Sequence, residues 1–142
     1  MTFTESELAY LATQRLGRLA TVDADGAPQN NPVGFRYNPA VDAIDIYGLA
    51  MGSTRKFRNV RANPRVALVV DDIASLDPWQ VRGIEIRGLA QALVEQETPG
   101  THLSSEILRW VPVRIIAWGI DPDRPGMQSR HVTPAEADFR VA

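Results

Sequence analysis

The feature that most narrows the fold is a rhythm of strand-length apolar stretches, separated by turn chemistry and leaving too little chain between most of them for crossover helices. Arg18 to Asp23 carries Leu19, Thr21 and Val22, and Asp23-Ala24-Asp25-Gly26 turns the chain into a second extended stretch running through Phe35 and Tyr37. Asn38-Pro39 makes the next turn, and Ile44-Asp45-Ile46-Tyr47 alternates apolar and polar residues as a half-buried strand does. Val66-Ala67-Leu68-Val69-Val70 is apolar without a break, which predicts a strand buried on both faces and closed by Asp71-Asp72. From Val81 to Leu93, Ile84, Ile86, Gly88, Ala90 and Ala92 share one face, with Gly88 allowing a bend. Val113 to Trp118 reads as the last strand, before Asp121-Pro122.

Helical signals are few. Thr4-Glu5-Ser6-Glu7 has the form of a capping box, followed by Leu8, Leu11 and Ala12 at helical spacing, with Gly17 placed to end the helix. After a flexible Gly48 to Gly52, residues 54–63 predict a short helix with Phe57 and Val60 inward, stopped by Asn63-Pro64. Ser104 to Trp110 suits a third, and no order is predicted beyond Arg124. The expectation is one domain over residues 1–142, mainly β with small helices: a six-stranded antiparallel split β-barrel.

Composition removes several chemistries. With no cysteine, disulfides and thiolate sites are absent, and the two histidines, His102 and His131, have no metal-ligand spacing. Asp23-x-Asp25-Gly26 opens like a calcium loop but lacks the closing glutamate, so it reads as a plain turn. Gly48-x-x-x-Gly52-Ser53 is not a Walker loop, and no G-x-G-x-x-G is present. A net charge of −2 argues against a nucleic-acid binder. The N-terminus lacks a signal-peptide pattern and the longest apolar run is far too short to span a bilayer, so the expectation is a cytoplasmic protein.

Charge within the chain is uneven. From Ser53 to Val70 there are five cations, Arg55, Lys56, Arg58, Arg61 and Arg65, and no acid, although the whole chain has 17 acids against 15 basic residues. Arg55 and Lys56 fall in the first turn of the expected helix, where the macrodipole is already positive and a cation costs about 0.3–1 kcal/mol. Cations, free amides and the Ser53 and Thr54 hydroxyls at one helix start make an anion site, with phosphate its natural occupant. Lys56 is the only lysine in the chain. For Arg58, Arg61 and Arg65 a solvated helix face is an equal reading.

These residues resemble a known family. Ala20-Thr21-Val22-Asp23, Gly26-x-Pro28, Tyr47, Arg55-Lys56 and Asn63-Pro64-Arg65-Val66-Ala67 are spaced as in the pyridoxamine-5′-phosphate-oxidase-like split-barrel proteins, most nearly their coenzyme F420-dependent branch. The resemblance implies a homodimer with cofactor at the interface and phosphate held by Thr54, Arg55 and Lys56, beside the Ser53 hydroxyl of the anion site. The ring would lie along Asn31 to Val33 and beside Ile46-Tyr47, Arg61 would extend the site past the phosphate, and Trp79 would arrive from the partner subunit. Asn31 stands where the true oxidases carry a phosphate-gripping arginine, and their C-terminal arginine and histidine have no counterpart, which speaks against vitamin B6 oxidation. Trp110, three residues after Ile107, reads as core, and Trp118 as core or cofactor-facing. The resemblance thus implies an F420-dependent oxidoreductase passing hydride to a small electron-poor molecule; the alternatives are an FMN-binding oxidoreductase on the same fold and a non-catalytic carrier.

Overall fold

The computed structural model describes residues 2–132. In chain order the elements are α1 (Glu5–Thr13), β1 (Leu16–Val22), β2 (Pro28–Gly34), β3 (Arg36–Asn38), β4 (Ala43–Ile46), a 3-10 turn (Met51–Ser53), α2 (Arg55–Ala62), β5 (Arg65–Leu76), β6 (Trp79–Leu93), β7 (Ile107–Trp118) and β8 (Met127–His131). The sheet runs β2-β1-β5-β6-β7-β4-β3, all antiparallel. Its two edge strands, β2 and β3, are separated only by Phe35. One bent stretch of chain therefore pairs with β1 at one end and β4 at the other, and the sheet closes into a ring. The sheet holds eight strands where six were expected; the difference is the break of one expected strand into β2 and β3 and the addition of β8.

The seam lies on β7. Its first half pairs with β4 (Ile44↔Trp110, Ile46↔Leu108) and its second half with β8 (Arg114↔His131, Trp118↔Met127), so two short strands share one edge and the barrel is split between them. Leu19, Val33, Ile44, Ile46, Leu68, Val70, Ile84, Ile86, Trp110 and Ile115 fill the interior. The turn after β1 forms as the sequence dictates: Asp23 Oδ1 accepts from the amides of Asp25 and Ala27, and Gly26 takes φ +86°.

Helix α1 begins with the expected capping box, Thr4 Oγ1 accepting from Glu7 N while Glu7 Oε1 accepts from Thr4 N. The buried Glu7 carboxylate also takes both terminal nitrogens of Arg130 at 2.6 Å, which ties β8 to α1. Tyr10 reaches Asp72 at 2.8 Å and Arg82 lies over its ring. No helix among the described residues is long and apolar enough to cross a membrane.

Several local expectations are corrected. Helix α1 stops at Thr13, and Gly17 lies inside β1, where a Cβ would sit 2.8 Å from the Leu68 side chain. Strand β5 alternates between buried and half-buried positions instead of being covered on both faces. It also runs through Asp71 and Asp72, because Arg18 pairs with the first and Arg82 with the second, leaving no uncompensated acid to end the ladder. Gly48 to Gly52 is not a free loop, since it leads into the 3-10 turn. Ser104 to Trp110 is not a helix: Ile107 to Trp110 opens β7, where partners on β6 and β4 override the helical spacing. Trp110 is core as expected, fully buried, with its indole N–H unpaired among the described residues. Past Arg124 the chain forms β8; the rest of the expected unordered tail lies outside the described residues.

Strand β4 is buried throughout, including Asp45, which the alternating pattern placed in solvent. Its carboxylate, 1% exposed, accepts from Arg109 Nε at 2.8 Å, Arg109 Nη2 at 3.0 Å and Asn38 Nδ2 at 3.0 Å. A buried ion with one partner removed is left uncompensated, so Arg109→Ala should lower the unfolding free energy by about 3–5 kcal/mol in a urea titration. Adding Asp45→Ala should return part of that loss; strict additivity would show that the pair is not coupled.

Candidate functional site

Thr54 is the N-cap of α2, its Oγ1 accepting from Phe57 N at 3.3 Å. The same hydroxyl donates to Met51 O at 2.7 Å, and Ser53 Oγ donates to Ala50 O at 3.0 Å. The two hydroxyl protons thus shape the turn. At the helix start the donors left over are the amides of Arg55 and Lys56, which carry no hydrogen bond among the described residues. No acid stands in this turn, and Arg55 and Lys56 are its first two residues. Free amides, the helix dipole and two cations thus meet at the start of α2, an arrangement that suits a phosphate, with the Glu106 carboxylate packed against Gly52 as the nearby acid.

What fixes that end of α2 is Asn59. It is 5% exposed and donates to Thr21 Oγ1 on β1 at 3.0 Å and to Gln29 Oε1 on β2 at 3.1 Å. Phe57 and Val60 bury beside it, as expected, which leaves Arg55, Arg58 and Arg61 exposed. Arg58 donates to Ser53 O at 3.1 Å, and the Arg61 guanidinium lies 4.6 Å over the Phe57 ring. Arg61 lies six residues after Arg55, about 9 Å along the axis at ~1.5 Å per residue. The sequence offered one signal for Asn59, a polar residue on the apolar face of a short helix.

The Asn59 contact also brings β2 beside α2. Asn31 follows Gln29 by two positions on the same strand face, about 7 Å further on, and is half-buried opposite Leu19. Val33 points into the core, so only its backbone is open to a ligand. Tyr47, half-buried just past β4, lines a groove with Gly34, Phe35 and Arg36. Its phenol is pushed above the usual tyrosine range by burial first and then by the Asp45 carboxylate, so it is a neutral hydrogen-bond donor at physiological pH. Ser104 locks this region together: its amide donates to Gly48 O at 2.8 Å and its hydroxyl accepts from Met51 N at 3.0 Å. Nothing in the sequence marked Ser104 for this task.

Trp79 stands apart. It lies at the tip of the β5–β6 hairpin, 63% exposed, while α2 leads into the other end of β5. The strand between those ends spans about 36 Å at ~3.3 Å per residue. Within one chain Trp79 cannot join the α2 site. Trp118, left open by the sequence, is half-buried and presses on Gly83, where a Cβ would come 2.6 Å from its ring.

Comparison with known proteins gives a consistent picture. Residues 3–140 match the family described as pyridoxamine 5′-phosphate oxidase. A 5a,11a-dehydrotetracycline/5a,11a-dehydrooxytetracycline reductase of Streptomyces rimosus is 44% identical, over 99% of this chain and all of that one. Among solved structures, an F420 reductase superposes with a TM-score of 0.56 at 25% identity, covering 72% of this chain and 89% of that one. A conserved hypothetical protein of Mycobacterium tuberculosis superposes with a TM-score of 0.63 at 22% identity, covering 82% of this chain and 84% of that one, which shows the shared fold.

Asn59→Ala would strand the buried Thr21 hydroxyl, so it should lower the unfolding free energy by about 1–3 kcal/mol. Replacing both partners, with Asn59→Leu and Thr21→Val, should cost less than the single alanine change; a larger loss in urea titration would mean Asn59 is not the anchor of α2.

Proposed function

The chain belongs to the pyridoxamine 5′-phosphate oxidase family, and on that premise we propose that it is a reductase that binds coenzyme F420 and delivers hydride to an electron-poor organic acceptor. The observation that carries this reading is the start of α2, where Arg55, Lys56 and their unpaired amides face solvent with no acid in the turn. They hold the cofactor phosphate. Arg61, one helix length further on, meets the acidic tail that distinguishes the deazaflavin from FMN. Asn31, in place of the arginine the resemblance associates with FMN phosphate, favours the same choice. When bound, the deazaflavin supplies the hydride from its ring carbon. The chain supports the ring with the β2 backbone from Asn31 to Val33 and offers the neutral Tyr47 hydroxyl as a hydrogen-bond donor. The reductase identity of the Streptomyces rimosus relative supports catalysis over passive carriage.

A second copy completes the site in this reading. The outer barrel face has a mainly apolar hollow of about 510 Å³ lined by Ala20, Val22, Ala67, Leu89 and Val113, with Arg65 and Arg87 also on its lining. The β5–β6 hairpin end exposes Ile73, Leu76, Trp79 and Val81. Exposed apolar surface of this extent marks an association site. A homodimer built on it brings Trp79 to the partner's cofactor, where the chain's own Trp79 cannot reach.

Fluorescence titration with F420 and with FMN tests the reading. F420 should bind more tightly, and Lys56→Ala or Arg55→Ala should each weaken it by roughly 10–100-fold, the worth of a charge-assisted hydrogen bond. Tight FMN binding without F420 binding, or wild-type F420 affinity in both variants, would overturn it. Ala67→Glu should convert the dimer to a monomer in sedimentation and weaken F420 binding with it.

A further inference from the structure

The groove that Tyr47 enters has a charge unlike that of the chain around it. Its volume is about 520 Å³, and besides Tyr47 it is lined by Arg15, Phe35, Arg36, Pro99 and Leu103, with no carboxylate among the lining residues. A second hollow of about 350 Å³ continues it past Phe35 and Arg36 towards Leu8 and Leu11 on α1. Both volumes suit small organic ligands. Five arginines are held by acids: Arg18 by Asp71, Arg82 by Asp72, Arg87 by Glu85, Arg109 by Asp45 and Arg130 by Glu7. Arg15 and Arg36 are exposed, and neither has an acid partner among the described residues.

We propose that this groove is the acceptor subsite and takes an amphiphilic organic anion, a ring system bearing a carboxylate, phenolate or enolate, with the anionic group at Arg15 and Arg36. The assignment rests on the reading above, because it is the groove's contact with Tyr47 and Gly34 that sets it against the cofactor strip. Phe35, Tyr47 and Leu103 supply the flat and apolar contacts a ring system needs, and the two guanidiniums supply forked donors for an oxyanion. One feature opposes an anion: residues 12–15 bring the negative end of the α1 dipole to the rim. Two guanidiniums without an acid partner carry more charge than the half-charge of the helix end. The Asp45 carboxylate behind Tyr47 does not cancel them, since Arg109 already neutralises it.

The test uses the full chain without cofactor and a pair of planar fluorescent probes, anthracenecarboxylate and anthracenemethanol, which share a ring system and differ in charge. The carboxylate should bind about tenfold or more tightly than the alcohol, a preference that shrinks with added salt. The double variant Arg15→Gln with Arg36→Gln should bring the two probes to within about twofold of each other, and Arg36→Glu should favour the alcohol. Equal binding of the probes by the wild type, no binding of either, or an unchanged preference in the double variant would overturn the assignment. The same variants are titrated with F420. Unchanged affinity keeps the groove separate from the cofactor site, whereas a loss in step with the probe would make the groove part of that site and overturn it as an acceptor subsite. A wild type that discriminates the probes but does not bind F420 would sink the cofactor reading and leave the anion groove standing.

Discussion

The structure depends on one covalent economy: the stretch from Pro28 to Asn38, interrupted only at Phe35, serves as a barrel strand at both ends of the sheet path. By pairing with β1 through its first half and β4 through its second, it links the two ends of the sheet path. The same bend decides where the site lies. It puts Gln29 in contact with α2, two positions before Asn31, and Phe35 and Arg36 beside α1 and Tyr47, so the proposed cofactor strip and the groove are consecutive segments of one strand. A ligand lying along this stretch would touch both.

The second constraint is electrostatic. A helix of eight residues gains little from its own hydrogen bonds and holds its shape by docking. Here Phe57, Asn59 and Val60 do the docking, which frees the first turn to carry Arg55 and Lys56 against the dipole. Arg15 and Arg36 follow the same pattern, two cations on one groove without an acid partner among the described residues. In the proposed reading, an anionic cofactor beside an anionic acceptor needs separate positive centres so that the two do not repel each other out of the site.

Much of this was legible in the sequence, for reasons that differ by element. The capping box of α1, the Asp23–Gly26 turn and the Arg55-Lys56 start of α2 are local rules, and each formed as read. The barrel was readable because turn spacing leaves few ways to join its strands. What stayed hidden depends on partners distant in sequence. Asp45 looks like a solvent-facing residue until Arg109, 64 positions away, takes its carboxylate. Ile107 to Trp110 carries a helical spacing that loses to β6, and Asp71-Asp72 looks like a stop until Arg18 and Arg82 compensate it. Ser104 and the pairing of Arg15 with Arg36 across one groove are properties of the assembled fold alone.

The central claim, that the positive end of α2 holds the cofactor's phosphate, is tested most directly by amide hydrogen exchange with and without F420. The free amides of Arg55 and Lys56 should exchange quickly in the unliganded protein and become strongly protected on binding, with weaker protection along Asn31 to Val33. Protection confined to other segments, with residues 54–57 unchanged at saturating F420, would contradict it.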